Sequence, residues 1–167
     1  MHSYFDTFSE DSRLWVFQAS RPLQAAEIAT LENALQGFLS QWAAHQKALQ
    51  GAGTVLYNRF LVVAVNEAFQ AASGCSIDSL TGFVRQAESQ LQCSFLERGT
   101  VAFWQEDSVH TLPLAEVKSA IAEGRIQADT LIFNSAVATV GDFRRGFQQK
   151  AADSWLKRHF AALVQKG

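Results

Sequence analysis

The chain has 167 residues, 48% of them hydrophobic and 18% charged, with a formal net charge of −2 at pH 7. That length and balance suit one globular domain with a sizeable core and exclude a disordered chain. The weak negative charge gives nucleic acid and anionic membranes no electrostatic reason to bind, and no apolar run approaches the roughly 18 residues of a membrane span.

The start, Met1-His2-Ser3-Tyr4-Phe5-Asp6, has neither a basic region nor a continuous apolar one, so no signal peptide is expected. Residues 1–12 read as a polar and aromatic tail pinned by Tyr4, Phe5 and Phe8. Leu14-Trp15-Val16-Phe17 is a short strand. Ser20-Arg21-Pro22 starts a helix with Pro22 in its first turn. Ile28, Leu31, Leu35, Phe38, Leu39 and Trp42 keep helical spacing, and that helix is expected to end near His45. Thr54 to Val65 reads as one strand with a bulge at Asn58 or Arg59. Its second half, Phe60 to Val65, is apolar on both faces, which predicts a central strand covered on both sides.

A second helix follows the turn Ser73-Gly74-Cys75-Ser76-Ile77-Asp78-Ser79, with Ile77, Leu80, Val84, Ala87 and Leu91 on one stripe. Thr100 to Trp104 and Val109 to Leu112 are strands around a hairpin turn at Glu106-Asp107-Ser108. Pro113 opens a short helix with Gly124 at its C′ position. Thr130 to Phe133 is a strand, and Ala136 to Thr139 is a candidate for another. The last helix is expected to run from a cap at Asp153 through Leu156, Phe160 and Leu163 to Lys166. The order β-α-β-α-β-β-α-β-(β)-α describes an α+β fold with a mixed sheet. It places a single domain over 13–167, with 99–167 as a candidate subdomain.

The Ser73–Ser79 turn is where chemistry concentrates. A thiol at a helix start can be stabilised as thiolate by backbone N–H groups and the helix dipole. Cys75 is therefore a candidate nucleophile, with His45 as its base. The same turn suits a ligand pocket formed by Ser73, Gly74, Ser76 and Asp78, with Arg59 and Trp42 as further binding residues. The other reading is a small buried cysteine beside hydroxyls that cap the helix. Cys93, beyond the far end of the helix and about 20 Å away at about 1.5 Å per residue, is badly placed to pair with Cys75. Two cysteines in a core of this size point to reduced thiols and a cytoplasmic setting.

The four histidines and two cysteines do not fall at metal-ligand spacings, so no metal or other cofactor is expected. Arg144-Arg145, Lys150, Lys157 and Arg158 read as a solvated basic face. No Gly-x-x-x-x-Gly-Lys-Ser/Thr occurs, and Gly51-Ala52-Gly53-Thr54 lacks the lysine, so the residues do not describe an ATPase.

At Phe38-Leu39-Ser40-Gln41-Trp42-Ala43-Ala44-His45, Tyr57-Asn58-Arg59-Phe60 and Ser73-Gly74-Cys75-Ser76-Ile77-Asp78-Ser79 the chain resembles a family of short proteins from the Bacteroidetes. Arg98, Asp129-Thr130-Leu131-Ile132-Phe133-Asn134 and Ser154-Trp155 extend the likeness. Members often carry the label "ABC transporter ATPase", and the resemblance implies a bacterial, cytoplasmic protein. Phe103 through Phe143, with Leu112-Pro113-Leu114-Ala115-Glu116-Val117 and Gly124-Arg125-Ile126, is similar to GYF-like modules. Those modules bind proline-rich peptides. Leu112-Pro113-Leu114 stands roughly where their Gly-Pro-Tyr/Phe core would be.

Two functions follow as expectations. The first is a non-catalytic domain that binds a small ligand or a protein partner at the Ser73–Asp78 helix start. The second is a thiol-dependent enzyme using Cys75 and His45.

Overall fold

The computed structural model describes residues 3–165. After a 3-10 turn at Ser3–Phe5 come β1 (Leu14–Gln18), α1 (Ala25–Gln41), β2 (Ala43–Ala44), β3 (Lys47–Ala48), β4 (Gly51–Leu56), β5 (Phe60–Val65) and α2 (Gly74–Leu91). Then follow β6 (Thr100–Gln105), β7 (Ser108–Pro113), α3 (Val117–Ala122), β8 (Leu131–Phe133), α4 (Val140–Gly146), β9 (Gln148–Lys150) and α5 (Lys157–Gln165). The fold is α+β. Among the described residues every strand pairing is antiparallel, where a mixed sheet is expected. The cause is local: three of the pairings are hairpins closed by tight turns, which force neighbouring strands to run antiparallel.

The chain divides into two compact units, Met1–Glu97 with Ser135–Arg145, and Arg98–Asn134 with Gly146–Gly167. The second unit resembles the candidate subdomain 99–167 with residues 135–145 removed. That segment is tied to the first unit by backbone bonds from Leu14 N–H to Ala138 O and from Val140 N–H to Ser12 O. The candidate strand at Ala136–Thr139 is reduced to one bridge, Arg13 with Thr139, and α4 follows it.

In the first unit the sheet order is β1-β5-β4. All six residues of β5 are fully buried, as a strand with apolar residues on both faces requires. Leu61, Val63 and Val65 belong to a core shared with Leu31, Leu35 and Leu39 of α1 and Leu80, Val84 and Ala87 of α2. The segment expected as a tail carries buried Phe5, whose ring meets Phe143 of α4 edge-on at 6.0 Å. Arg144 Nη2 donates to Phe5 O at 2.7 Å.

The stretch expected as one strand, Thr54 to Val65, is a hairpin. Tyr57 and Asn58 both take positive φ, and Arg59 N–H closes the turn onto Leu56 O at 3.0 Å. Two central residues at positive φ match the right-handed twist of the flanking strands. Helix α1 lies close on β4 because Gly51 and Gly53 have no side chain. A Cβ on Gly53 would stand 2.7 Å from Leu35 Cδ2 and 2.9 Å from Val62 O.

Helix α1 begins at Ala25, later than the Ser20-Arg21-Pro22 signal suggests, because that segment is held in extended contacts. Leu23 N–H donates to Asn58 O, and Gln24 is the N-cap, its N–H bonded to Glu27 Oε2 at 2.8 Å. Arg21 grips Glu27 with two bonds, 2.9 and 2.8 Å, and also donates to Leu91 O at 2.7 Å. It therefore joins the start of α1 to the end of α2. The Arg21 guanidinium, with help from the Gln24 N–H, lowers the Glu27 carboxyl to a pKa of about 2.

In the second unit the sheet order is β7-β6-β8-β9, and the expected hairpin at Glu106-Asp107 is present, both residues at positive φ. Its core gathers Phe103, Leu112, Val117, Ile121, Ile126, Ile132 and Leu156. Gly124 has φ +78 and ends α3, as a C′ glycine does. Helix α5 starts at Lys157 and not at Asp153, because Ser154 Oγ captures Leu156 N–H at 3.1 Å and holds the chain in a turn. The Leu163 side chain and Lys166 lie outside the described residues. No helix among the described residues is long and apolar enough to cross a membrane.

Two tests follow. Gly53→Ala should destabilise the first unit by about 1–3 kcal/mol, since its methyl meets a core leucine and a backbone carbonyl. Gly82→Ala, in α2 with open space around its Cβ, should stabilise by about 1 kcal/mol. Urea unfolding of both variants reads the signs. Because the Glu27 pKa is depressed from 4.5 to about 2, the stability it contributes is complete above pH 4.5 and lost as pH falls towards 2. Wild type should exceed Glu27→Gln in stability at neutral pH, and the gap should close over that acid window. A gap independent of pH would show that the carboxylate charge does not matter.

Candidate functional site

Helix α2 begins as its sequence predicts. Ser73 is the N-cap: its Oγ accepts Ser76 N–H at 3.2 Å, and Ser73 N–H donates to Ser76 Oγ at 2.7 Å. Ser76 Oγ also donates to Ser73 O at 2.7 Å. This is a capping box with serine where glutamate or glutamine is more usual. Ser79 Oγ donates to Cys75 O at 3.0 Å. The hydroxyls of this turn are thus engaged in holding the helix start. Gly74, Cys75 and Asp78 are exposed, whereas Ser76 is buried.

The structure places the other candidate residues unevenly around this turn. Helix α1 stops at Gln41 rather than near His45, because Trp42 is extended and its indole Nε1 donates to Ser76 O at 2.8 Å. Trp42 is only 3% exposed, with its ring beside those of Trp15 and Phe38, so it anchors the turn from inside. His45 lies with Gln46 at positive φ in the exposed tip of the β2–β3 hairpin, and β2 lies against α2. Among the described residues no hydrogen bond joins Cys75 to His45. Arg59 belongs to the opposite end of α2. Its Nε and Nη2 donate to Ala19 O at 2.9 Å and Ser20 O at 3.2 Å, and Ser20 Oγ stands 3.5 Å from Cys93 Sγ. Burial pushes the Arg59 pKa down. With α2 spanning about 27 Å at about 1.5 Å per residue, Arg59 and the Ser73 turn do not share a pocket.

What the structure does form is a groove between α1 and α2, with a volume of about 540 Å³. The two helices run antiparallel, as the Arg21–Leu91 bond at one end and the Trp42–Ser76 bond at the other require. Each gives the groove a stripe of the same spacing: Thr30, Ala34, Gly37 and Gln41 from α1, and Ser79, Phe83, Gln86 and Gln90 from α2. Offsets of four, three and four residues follow one helix face. Leu31, Phe38, Ala87 and Leu91 complete the lining. Phe38 and Phe83 stack across the groove at 5.0 Å and 25°. Among the described lining residues none is charged.

Sequence reasoning misses this groove because its walls look like solvated helix faces. The available signal is the pair of matching stripes, with small residues on α1 where polar ones would otherwise stand. Ser79 belongs both to the groove and to the turn that the sequence singles out. Among the described residues no three His, Cys, Asp or Glu side chains come together as a metal site would need.

Cys75 is exposed and Cys93 is buried. Alkylation of the native protein, read by peptide mass spectrometry, should therefore modify Cys75 and spare Cys93 until the chain is unfolded. Equal labelling of the two would mean that the end of α2 opens readily. The same experiment repeated across pH, in wild type and His45→Ala, tests whether the imidazole activates the thiol: a base requires the labelling midpoint to move.

In comparisons with protein-family models, curated proteins and solved structures, nothing matches this chain.

Proposed function

We propose that this protein is a non-catalytic binding domain whose small ligand lies in the groove between α1 and α2, beside the helix start at Ser73–Asp78. The observation that carries the reading is the groove itself: about 540 Å³, walled by two aromatic rings, small residues and side-chain amides. Its size falls within the range of small-molecule sites, and it joins apolar walls to polar side chains as such sites do. The Ser73 turn does not line the groove but fixes the start of α2 next to Ser79, since its hydroxyls are spent on the cap and Trp42 holds the Ser76 carbonyl. A turnover site would need a nucleophile and base within reach of each other. Cys75 has the exposure for such a role but no imidazole bonded to it among the described residues.

The test fills the groove. A Cβ on Gly37 meets nothing within 4 Å, so Gly37→Leu projects a side chain into open space. Leucine also favours helix over glycine, by a little less than the ~0.8–1.0 kcal/mol that separates alanine from glycine, so the variant should fold at least as well as wild type. A library of uncharged fragments, followed by amide chemical shifts, should give hits that perturb Gly37, Phe38, Phe83 and Gln86 and vanish in Gly37→Leu. Hits that persist unchanged in the variant, or map elsewhere, would overturn the reading.

A further inference from the structure

We propose that the groove takes an uncharged, planar heteroaromatic ring with adjacent hydrogen-bond donors and acceptors, the chemistry of a neutral nucleobase or nucleoside. This rests on the groove being the binding site. Three observations narrow the class. First, none of the described lining residues is charged, so neither a carboxylate nor a phosphate finds a counter-ion in the groove. That argues against fatty acids and nucleotide phosphates as the recognised group. Second, Gln41, Gln86 and Gln90, all solvent-exposed, line the groove, so their side-chain amides are available to a ligand. An amide offers a donor pair and an acceptor side by side, which matches the edge of a base and has no counterpart on an alkyl chain. An aliphatic ligand would strip water from these amides and return nothing. Third, Phe38 and Phe83 both line the same space, stacked on each other at 5.0 Å with Phe38 also against Trp42, so a flat ligand meets the outer side of that pair. Flat rings stack on aromatic side chains whatever the base, leaving the glutamines to choose among ring edges.

Adenosine, AMP and 1-octanol are suitable probes, titrated against the full chain, against Gly37→Leu and against the double variant Gln86→Leu/Gln90→Leu. The double variant keeps apolar area but removes two amides, and Gln86→Ala/Gln90→Ala repeats the measurement if the leucines cause aggregation. The expected result is saturable binding of adenosine, lost in Gly37→Leu and weakened at least about tenfold in the double variant. AMP should bind no tighter than adenosine, and octanol should not saturate. Saturable, Gly37→Leu-sensitive binding of octanol without adenosine would overturn the ligand class and leave the groove reading intact. AMP binding more than about tenfold tighter than adenosine would overturn it too, since charge would then be recognised. Adenosine binding that ignores the double variant would show that the amides do not read the ring. Failure of all three probes, together with failure of the fragment library, would remove the groove reading itself.

Discussion

The first unit depends on how helices α1 and α2 are held apart and together at once. Two side chains do this, one at each end, and both bind backbone carbonyls. Arg21 takes Leu91 O at the end of α2 while gripping Glu27 at the start of α1. Trp42, just past the end of α1, takes Ser76 O in the first turn of α2. The two clamps differ in kind. The arginine pair is partly exposed, so solvent screens it and its worth depends on ionisation. The indole bond is buried and carries no charge, so its worth does not vary with pH. Between the clamps, the Phe38–Phe83 stack fills part of the interval, and Ala34 and Gly37 leave the remainder open.

The sheet beneath sets the position of α1 rather than the reverse. Gly51 and Gly53 on β4 lie under Leu39, Trp42 and Leu35, at distances no Cβ could tolerate without movement. Glu32 of α1 accepts Val55 N–H at 3.1 Å and Thr54 Oγ1 at 3.2 Å, so the helix also occupies part of the outer edge of β4. A strand edge with free N–H groups is a template for another strand, and a carboxylate placed there blocks it. One helix therefore covers the sheet face and guards its edge.

Much of this was legible in the sequence, for identifiable reasons. β5 announces itself as a continuous apolar run, and its complete burial follows. Both long helices have clear periodic stripes, and the Ser73 cap stands where its residue types indicate. Glu106-Asp107 reads as a turn because two acidic residues and a serine interrupt two apolar segments. Tyr57-Asn58 does not, since a bulky aromatic at positive φ is uncommon and the polar Asn58-Arg59 pair reads equally well as a bulge within one strand. The end of α1 was hidden for another reason. Nothing local stops the helix at Gln41; a carbonyl thirty-four positions away does, through the Trp42 indole. The proposed site was the least legible part, because helix surface residues gain a pocket's meaning only when a second helix is laid opposite them.

Gly37 alone does not argue for a ligand. Gly82 sits in α2 with the same open surroundings and is not among the residues that line this groove, and each costs its helix about 1 kcal/mol relative to alanine. What separates them is coincidence. Gly37 falls one turn from Ala34, on the stripe that faces α2. Larger residues at those two positions would fill the interval and bury more apolar surface, so the opening is retained at a cost in stability. The Phe38–Phe83 stack already packs α1 against α2, so what is left open beside it is set by Ala34 and Gly37.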